Sequence, residues 1–164
     1  MSQLPASAPE KSGDAFAHIN AVVSPTVDDL KMMVFLEASG LAAYYEIAES
    51  APNDEIRQLL QANGREELAH AHRCSKVIKI LSGEDFDPPK DEDNRYVAPS
   101  GRTVDRELLD FLVMAETGGN TLYQTWADNI GNEAAAQLLR QNGKEEILHG
   151  DRARRAAELL SKTN

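Results

Sequence analysis

The chain has 164 residues, of which 41% are apolar and 27% charged, enough for one soluble domain with a proper core. Its net charge of −10 argues against partners bound through a nucleic-acid backbone or an anionic membrane surface, and no apolar run reaches the length of a signal peptide or a membrane span. The one cysteine, Cys74, rules out a disulfide within the chain and fits a reducing compartment, so the cytoplasm is the expected location.

Residues 1–25 are rich in Ser, Ala, Pro and Lys with little periodicity, which predicts a mobile arm ahead of a domain spanning 26–164. Thr26 is a start signal, followed by Asp28 and Asp29 at the positive end of a helix. That helix is predicted over 27–50, with Leu30, Val34, Leu41 and Ile47 among its apolar positions. Pro52-Asn53 turns the chain, and Asn53 caps a second helix that runs to Leu81 before Gly83 stops it. From Ser82 to Arg102 the chain is acidic, carries Pro88, Pro89 and Pro99, and shows no helical pattern. Thr103 is the expected cap of a third helix ending at Ile130; Gly131 turns the chain, and Asn132 caps a fourth helix ending at Leu160. Two helical hairpins joined by one long connection predict an all-α four-helix bundle with a crossover. The connection reaches roughly 60 Å when extended, enough to pass a helix about 40 Å long, so the third helix starts at the far end of the bundle.

The second and fourth helices each carry Glu-Glu-x-x-His, at Glu66-Glu67-Leu68-Ala69-His70 and Glu145-Glu146-Ile147-Leu148-His149. Residues three apart share a helix face, so Glu67 with His70, and Glu146 with His149, can grip one ion. Corresponding residues lie 79 positions apart, and the same offset relates Glu37 to Glu116. Laying 37–73 over 116–152 pairs 14 identical residues in 37, among them Gly40/Gly119, Tyr44/Tyr123, Asn63-Gly64/Asn142-Gly143 and Arg73/Arg152. One hairpin is therefore used twice, which gives the bundle an internal pseudo-two-fold axis. Glu37 and Glu67 are about equally far from their turn, as are Glu116 and Glu146 from theirs, so all six groups share one level of the bundle. Four carboxylates buried without compensation would cost several kcal/mol each. Two divalent cations cancel them, and a carboxylate–imidazole set suits iron, manganese or zinc.

On these six residues the chain resembles the ferritin-like superfamily, and within it the rubrerythrin-like branch, over roughly 27–161. The resemblance implies a ferritin-like bundle holding two iron ions, with Glu67 and Glu146 bridging them and Glu37, Glu116, His70 and His149 as terminal ligands. It implies an oxidoreductase of oxidase, peroxidase or ferroxidase type, acting on dioxygen, hydrogen peroxide or ferrous iron with an unidentified electron donor, and a homodimer. The alternative is an iron-binding or storage subunit with little turnover. Rubrerythrins also carry a rubredoxin-like domain with paired Cys-x-x-Cys knuckles, for which one cysteine does not suffice. They carry a further glutamate where this chain has Gly119, so an open position beside the metals is expected there. Cage-forming ferritins usually add a short fifth helix, whereas this sequence ends at Asn164.

Tyr44 and Tyr123 each follow a candidate ligand glutamate by seven residues, two turns along the same stripe. Each is placed either to hydrogen-bond a ligand carboxylate across the bundle or supply an electron, or simply to fill the core. Gly40, Gly64, Gly119 and Gly143 lie three residues from a ligand glutamate, which points to space for an oxidant or to close helix approach. Cys74 is expected as a buried, inert thiol, Trp126 as core and His72 as a surface residue. Glu66 and Glu145 either support the ligands from behind or pair with Arg73 and Arg152, seven residues on or across helices, and surface pairing is the expectation.

Overall fold

A computed structural model describes residues 2–162: five α-helices, α1 (Ser12–Ala21), α2 (Val27–Glu49), α3 (Asp54–Ser82), α4 (Arg106–Asn129) and α5 (Glu133–Ser161), and one 3₁₀ turn at Asp91–Asp93. There is no strand among the described residues. Helices α2 and α3 form one antiparallel hairpin and α4 and α5 the other, and the hairpins meet along α3 and α5. This is the expected ferritin-like arrangement.

Local signals set most of the boundaries. The Thr26 hydroxyl accepts from the Asp29 amide at 3.2 Å and the Asp29 carboxylate accepts from the Thr26 amide at 2.8 Å, a reciprocal pair that satisfies two free donors at the start of α2. The Asn53 and Asn132 side chains accept from Ile56 and Ala135 at 2.9 and 3.0 Å, so the two hairpin turns are built alike. Gly83 ends α3 with φ +75°, a conformation that costs glycine nothing. Asp105, not Thr103, caps α4, accepting from Leu108 at 2.7 Å. Both residue types are good caps, and the leucines that follow Asp105, Leu108, Leu109 and Leu112, face inward.

The N-terminal segment expected as an arm contains a helix. Ala15 and Ile19, one turn apart on α1, are fully buried, and α1 packs on α2. Two buried positions in a ten-residue helix, with Phe16 exposed beside them, give almost no periodicity, so the sequence pattern hides it. The Trp126 indole N–H donates to the Val22 carbonyl at 2.9 Å and ties the end of this segment to α4.

The crossover runs antiparallel to α3 along the outside of α2. Glu84 pairs with Lys31 at 2.8 Å, the Asn94 amide donates to the Phe35 carbonyl at 2.8 Å, Ser100 and Gly101 donate to Glu46, and Val104 donates to Ser50. Phe86 packs on Phe35 with ring centroids 6.2 Å apart. The first half of α2 is thereby covered on all sides, so Met32, Met33, Val34, Phe35 and Leu36 are all buried although they do not share one helix face. α4 starts beside the end of α2, as the linker length required.

Candidate metal centre

Midway along the bundle, α2 and α4 each supply one inward carboxylate, Glu37 and Glu116, and α3 and α5 each supply a glutamate and a histidine. His70 and His149 are fully buried, and their rings lie nearly parallel with centroids 5.1 Å apart. The Nδ1 atom of His70 lies 3.6 Å from Glu37, 3.5 Å from Glu67 and 3.5 Å from Glu146. His149 Nδ1 lies 3.3 Å from Glu67, 3.6 Å from Glu116 and 3.3 Å from Glu146. The structure therefore brings all six sequence-predicted residues together in two overlapping sets, Glu37-Glu67-His70-Glu146 and Glu67-Glu116-Glu146-His149, each with donor atoms within 4.8 Å of one another. Glu67 and Glu146 belong to both sets.

The outer nitrogen of each imidazole is already engaged. His70 Nε2 faces Glu145 Oε2 at 3.1 Å, and His149 Nε2 faces Glu66 Oε2 at 3.0 Å. Arg73 grips both Glu145 oxygens at 2.7 and 2.9 Å, and Arg152 grips both Glu66 oxygens at 2.8 and 2.9 Å. Glu66 and Glu145 are thus not surface partners of the arginines alone; they reach across between α3 and α5 to orient the histidines. The repeated Asn63 and Asn142, fully buried, complete the frame. Each amide donates to the backbone carbonyl of the opposite histidine, at 3.2 and 3.3 Å, and accepts from Arg152 or Arg73 at 3.1 and 2.9 Å. Sequence reasoning recorded these asparagines as identities in the repeat but gave them no role. A polar residue kept at both copies of a position facing the seam was the available signal.

With each Nε2 engaged by a carboxylate, Nδ1 is the nitrogen left to face the carboxylate cluster. Neither Nδ1 has a hydrogen-bond partner, nor has Glu146 Oε2, although all three atoms are buried. Orphaned buried donors and acceptors of this kind are costly, and a cation held between them removes the cost. The electrostatics agree. Burial, reinforced by the charge of Glu67, pushes Glu37 up to about 7 and Glu116 well above the carboxylate range. Burial opposes charging His149, but the carboxylates of Glu116, Glu146 and Glu67 push it up to about 12. Burial likewise opposes charging His70, and Glu145 and Glu146 lead the carboxylates that hold it far above its ordinary value. Without a metal, protons take the place of cations. The residues fit a pair of divalent ions.

Both tyrosines reach across the bundle. The Tyr44 hydroxyl donates to Glu116 Oε1 and the Tyr123 hydroxyl to Glu37 Oε1. Burial, then the neighbouring carboxylates, keeps Tyr44 un-ionised; for Tyr123 burial acts with Cys74 and Glu37. Cys74 is fully buried and its thiol is pushed up to about 12, first by burial and then by Glu37, which suits an inert group. Trp126 is core and His72 is exposed, as expected.

The glycines serve close approach, and Gly40 and Gly119 border open space as well. A Cβ at Gly40 would sit 2.9 Å from both Cβ and Cγ of Glu67, and one at Gly119 would sit 3.1 Å from the Glu146 carboxylate carbon. Toward Glu146 a side chain at Gly119 would be crowded, yet Gly119 and Gly40 also border open space: between α2 and α4 a cavity of about 630 Å³ is lined by Gly40, Gly119, Met33, Leu36, Phe111 and Leu112 and reaches Glu37, Glu67, Glu116 and Glu146.

The sequence model of the rubrerythrin family matches residues 28–157, which takes in both hairpins and all six clustered residues. The chain belongs to the rubrerythrin family. No curated protein and no solved structure matches it. The rubrerythrin match covers the helical bundle. No helix of the described residues is long and apolar enough to cross a membrane.

Proposed function

We propose that this rubrerythrin-family bundle binds two iron ions and reduces hydrogen peroxide or dioxygen with electrons from an external donor. The observation that carries this reading is the pair of buried Nδ1 atoms without partners, each facing three carboxylates. Glu37 and His70 would hold one ion, Glu116 and His149 the other, and Glu67 and Glu146 both. Two irons held there would supply electrons in pairs to an oxidant.

The protein's own residues divide the remaining work. Glu145 and Glu66 accept from Nε2 and so fix the tautomer that turns the Nδ1 lone pair inward. Tyr44 and Tyr123 fix the rotamers of Glu116 and Glu37 and leave the other carboxylate oxygen free for metal. The histidine side is sealed by the α3–α5 seam, so the oxidant enters between α2 and α4, where the apolar cavity meets the carboxylates. Its apolar walls exclude water and favour small, weakly charged oxidants.

The test is cyclic. Ferrous-loaded protein, mixed anaerobically with peroxide, is expected to give a ferric absorption spectrum, return to the ferrous state on reduction, and repeat without loss. Loading of hundreds of irons per assembled particle, with no catalytic cycling, would favour storage instead.

A further inference from the structure

The internal repeat makes each half of the site a control for the other, and the surroundings of the two tyrosines differ. Tyr44 and Tyr123 occupy matching positions and each donates to a carboxylate of the other hairpin. Beside Tyr123 stands Trp126, edge-on, with ring centroids 6.4 Å apart and planes at 78°. The residue matching Trp126 beside Tyr44 is Ile47. The Cys74 sulfur lies 3.6 Å from the Tyr123 hydroxyl, and its counterpart in the other half is Ala153. Since the single Tyr123 proton is committed to Glu37, the thiol is the donor in that contact. The Trp126 indole is fully buried, and its N–H reaches the Val22 carbonyl next to the exposed Val23. A continuous path thus leads from the carboxylates through a phenol and an indole to the connection between α1 and α2. No such aromatic step follows Tyr44 at the matching position.

We propose that one-electron oxidising equivalents leave the site through the second half alone, from Tyr123 to Trp126. This rests on the redox reading above. The first hydrogen peroxide is spent in taking both irons to the ferric state; after a further peroxide has oxidised the pair, Tyr123 gives it one electron, and the phenol proton passes to Glu37 Oε1 along the existing hydrogen bond. Trp126 then gives one electron to the phenoxyl, and the proton returns from Glu37 to the Tyr123 oxygen. The indole is left as a radical cation that keeps its proton, because a backbone carbonyl is too weak a base to take it. An external one-electron donor at the α1–α2 connection restores Trp126. Each passage moves one electron inward and leaves every proton where it began. Two passages, with two protons from solvent, match the reduction of one peroxide to two waters.

The experiment uses the full chain loaded with ferrous iron, mixed with several equivalents of hydrogen peroxide, because the first is spent in taking both irons to the ferric state, and freeze-quenched for electron paramagnetic resonance. Peptide mass spectrometry on the same samples maps the oxidised residues. The expected result is a tryptophan radical signal that ascorbate removes, with oxidation at Trp126 exceeding that at Tyr44. Trp126→Phe should abolish that signal and prolong a tyrosyl signal, and Trp126→Tyr, which restores an oxidisable ring, should again shift oxidation to position 126. Should Trp126→Phe fail to fold, the wild-type map decides alone. Iron oxidation with equal marks on Tyr44 and Tyr123, or with Trp126 untouched, overturns the relay and leaves the redox reading standing. Iron that stays ferrous in peroxide overturns both.

Discussion

Replacing Glu145 by Gln tests whether the outer carboxylates govern the metals. In the native chain Glu145 takes the His70 Nε2 contact at 3.1 Å and both Arg73 contacts at 2.7 and 2.9 Å. Its carboxyl is held at about 2; burial works against this, and the hydrogen bonds from His70 and Arg73 outweigh it, so it is fully ionised at neutral pH. Glutamine keeps the shape but loses the charge, and its NH₂ must face one of two donors. The imidazole then loses the anion that makes Nδ1 a strong ligand. Loss of such a partner typically costs 10–100-fold in metal affinity, about 1.4 to 2.8 kcal/mol. The loss should fall on the set containing Glu37 and His70, because Glu66 supports His149 independently at 3.0 Å. Stepwise affinities from anaerobic competition against a chromogenic chelator would show one constant weakened and the other retained, with Glu66→Gln giving the mirror result. Equal weakening of both constants, or of neither, would refute the reasoning.

Gly40→Ala should destabilise by about 1–3 kcal/mol in denaturant unfolding, because its Cβ would meet Glu67 at 2.9 Å, while Gly118→Ala, with nothing within 4 Å, should stabilise by about 0.5–1 kcal/mol. Asn63→Ala removes the donor to the His149 carbonyl and an acceptor of Arg152, so a loss of about 1–3 kcal/mol is expected in the same assay. Metal loading at pH 7 should release roughly two or more protons per chain, seen by calorimetry in buffers of different ionisation heat, because His70 and His149 hold protons that the ions displace. For the metal-free chain the sign at Glu37 is fixed by its raised value: its contribution is full below 4.5 and lost as pH rises through about 7, so thermal stability without metal should fall across that window.

The six clustered residues and the four bundle helices were legible because duplication wrote each twice, at one offset, with cap residues at matching turns. Tyr44 and Tyr123 were legible as candidates for the same reason, and their cross-bundle hydrogen bonds needed only the helix period. Helix α1 was hidden because two buried residues carry it. The roles of Asn63 and Asn142 were hidden, and for Glu66 and Glu145 the choice between supporting the histidines and surface pairing stayed open, because both depend on the meeting of α3 with α5, a contact between hairpins that no local pattern encodes. Gly119 was legible in part: it borders the cavity beside the carboxylates, but how close Glu146 comes to it is set by the facing helix, which no local pattern encodes.

The most direct test of the central claim is the metal content and metal positions of the chain after anaerobic loading with ferrous iron, read by elemental analysis and by anomalous scattering from crystals. The expected result is two ions per chain, one beside His70 Nδ1 and one beside His149 Nδ1, roughly 3.5–4 Å apart with Glu67 and Glu146 between them. One ion per chain, or ions bound only at the acidic surface with both Nδ1 atoms free, would contradict it.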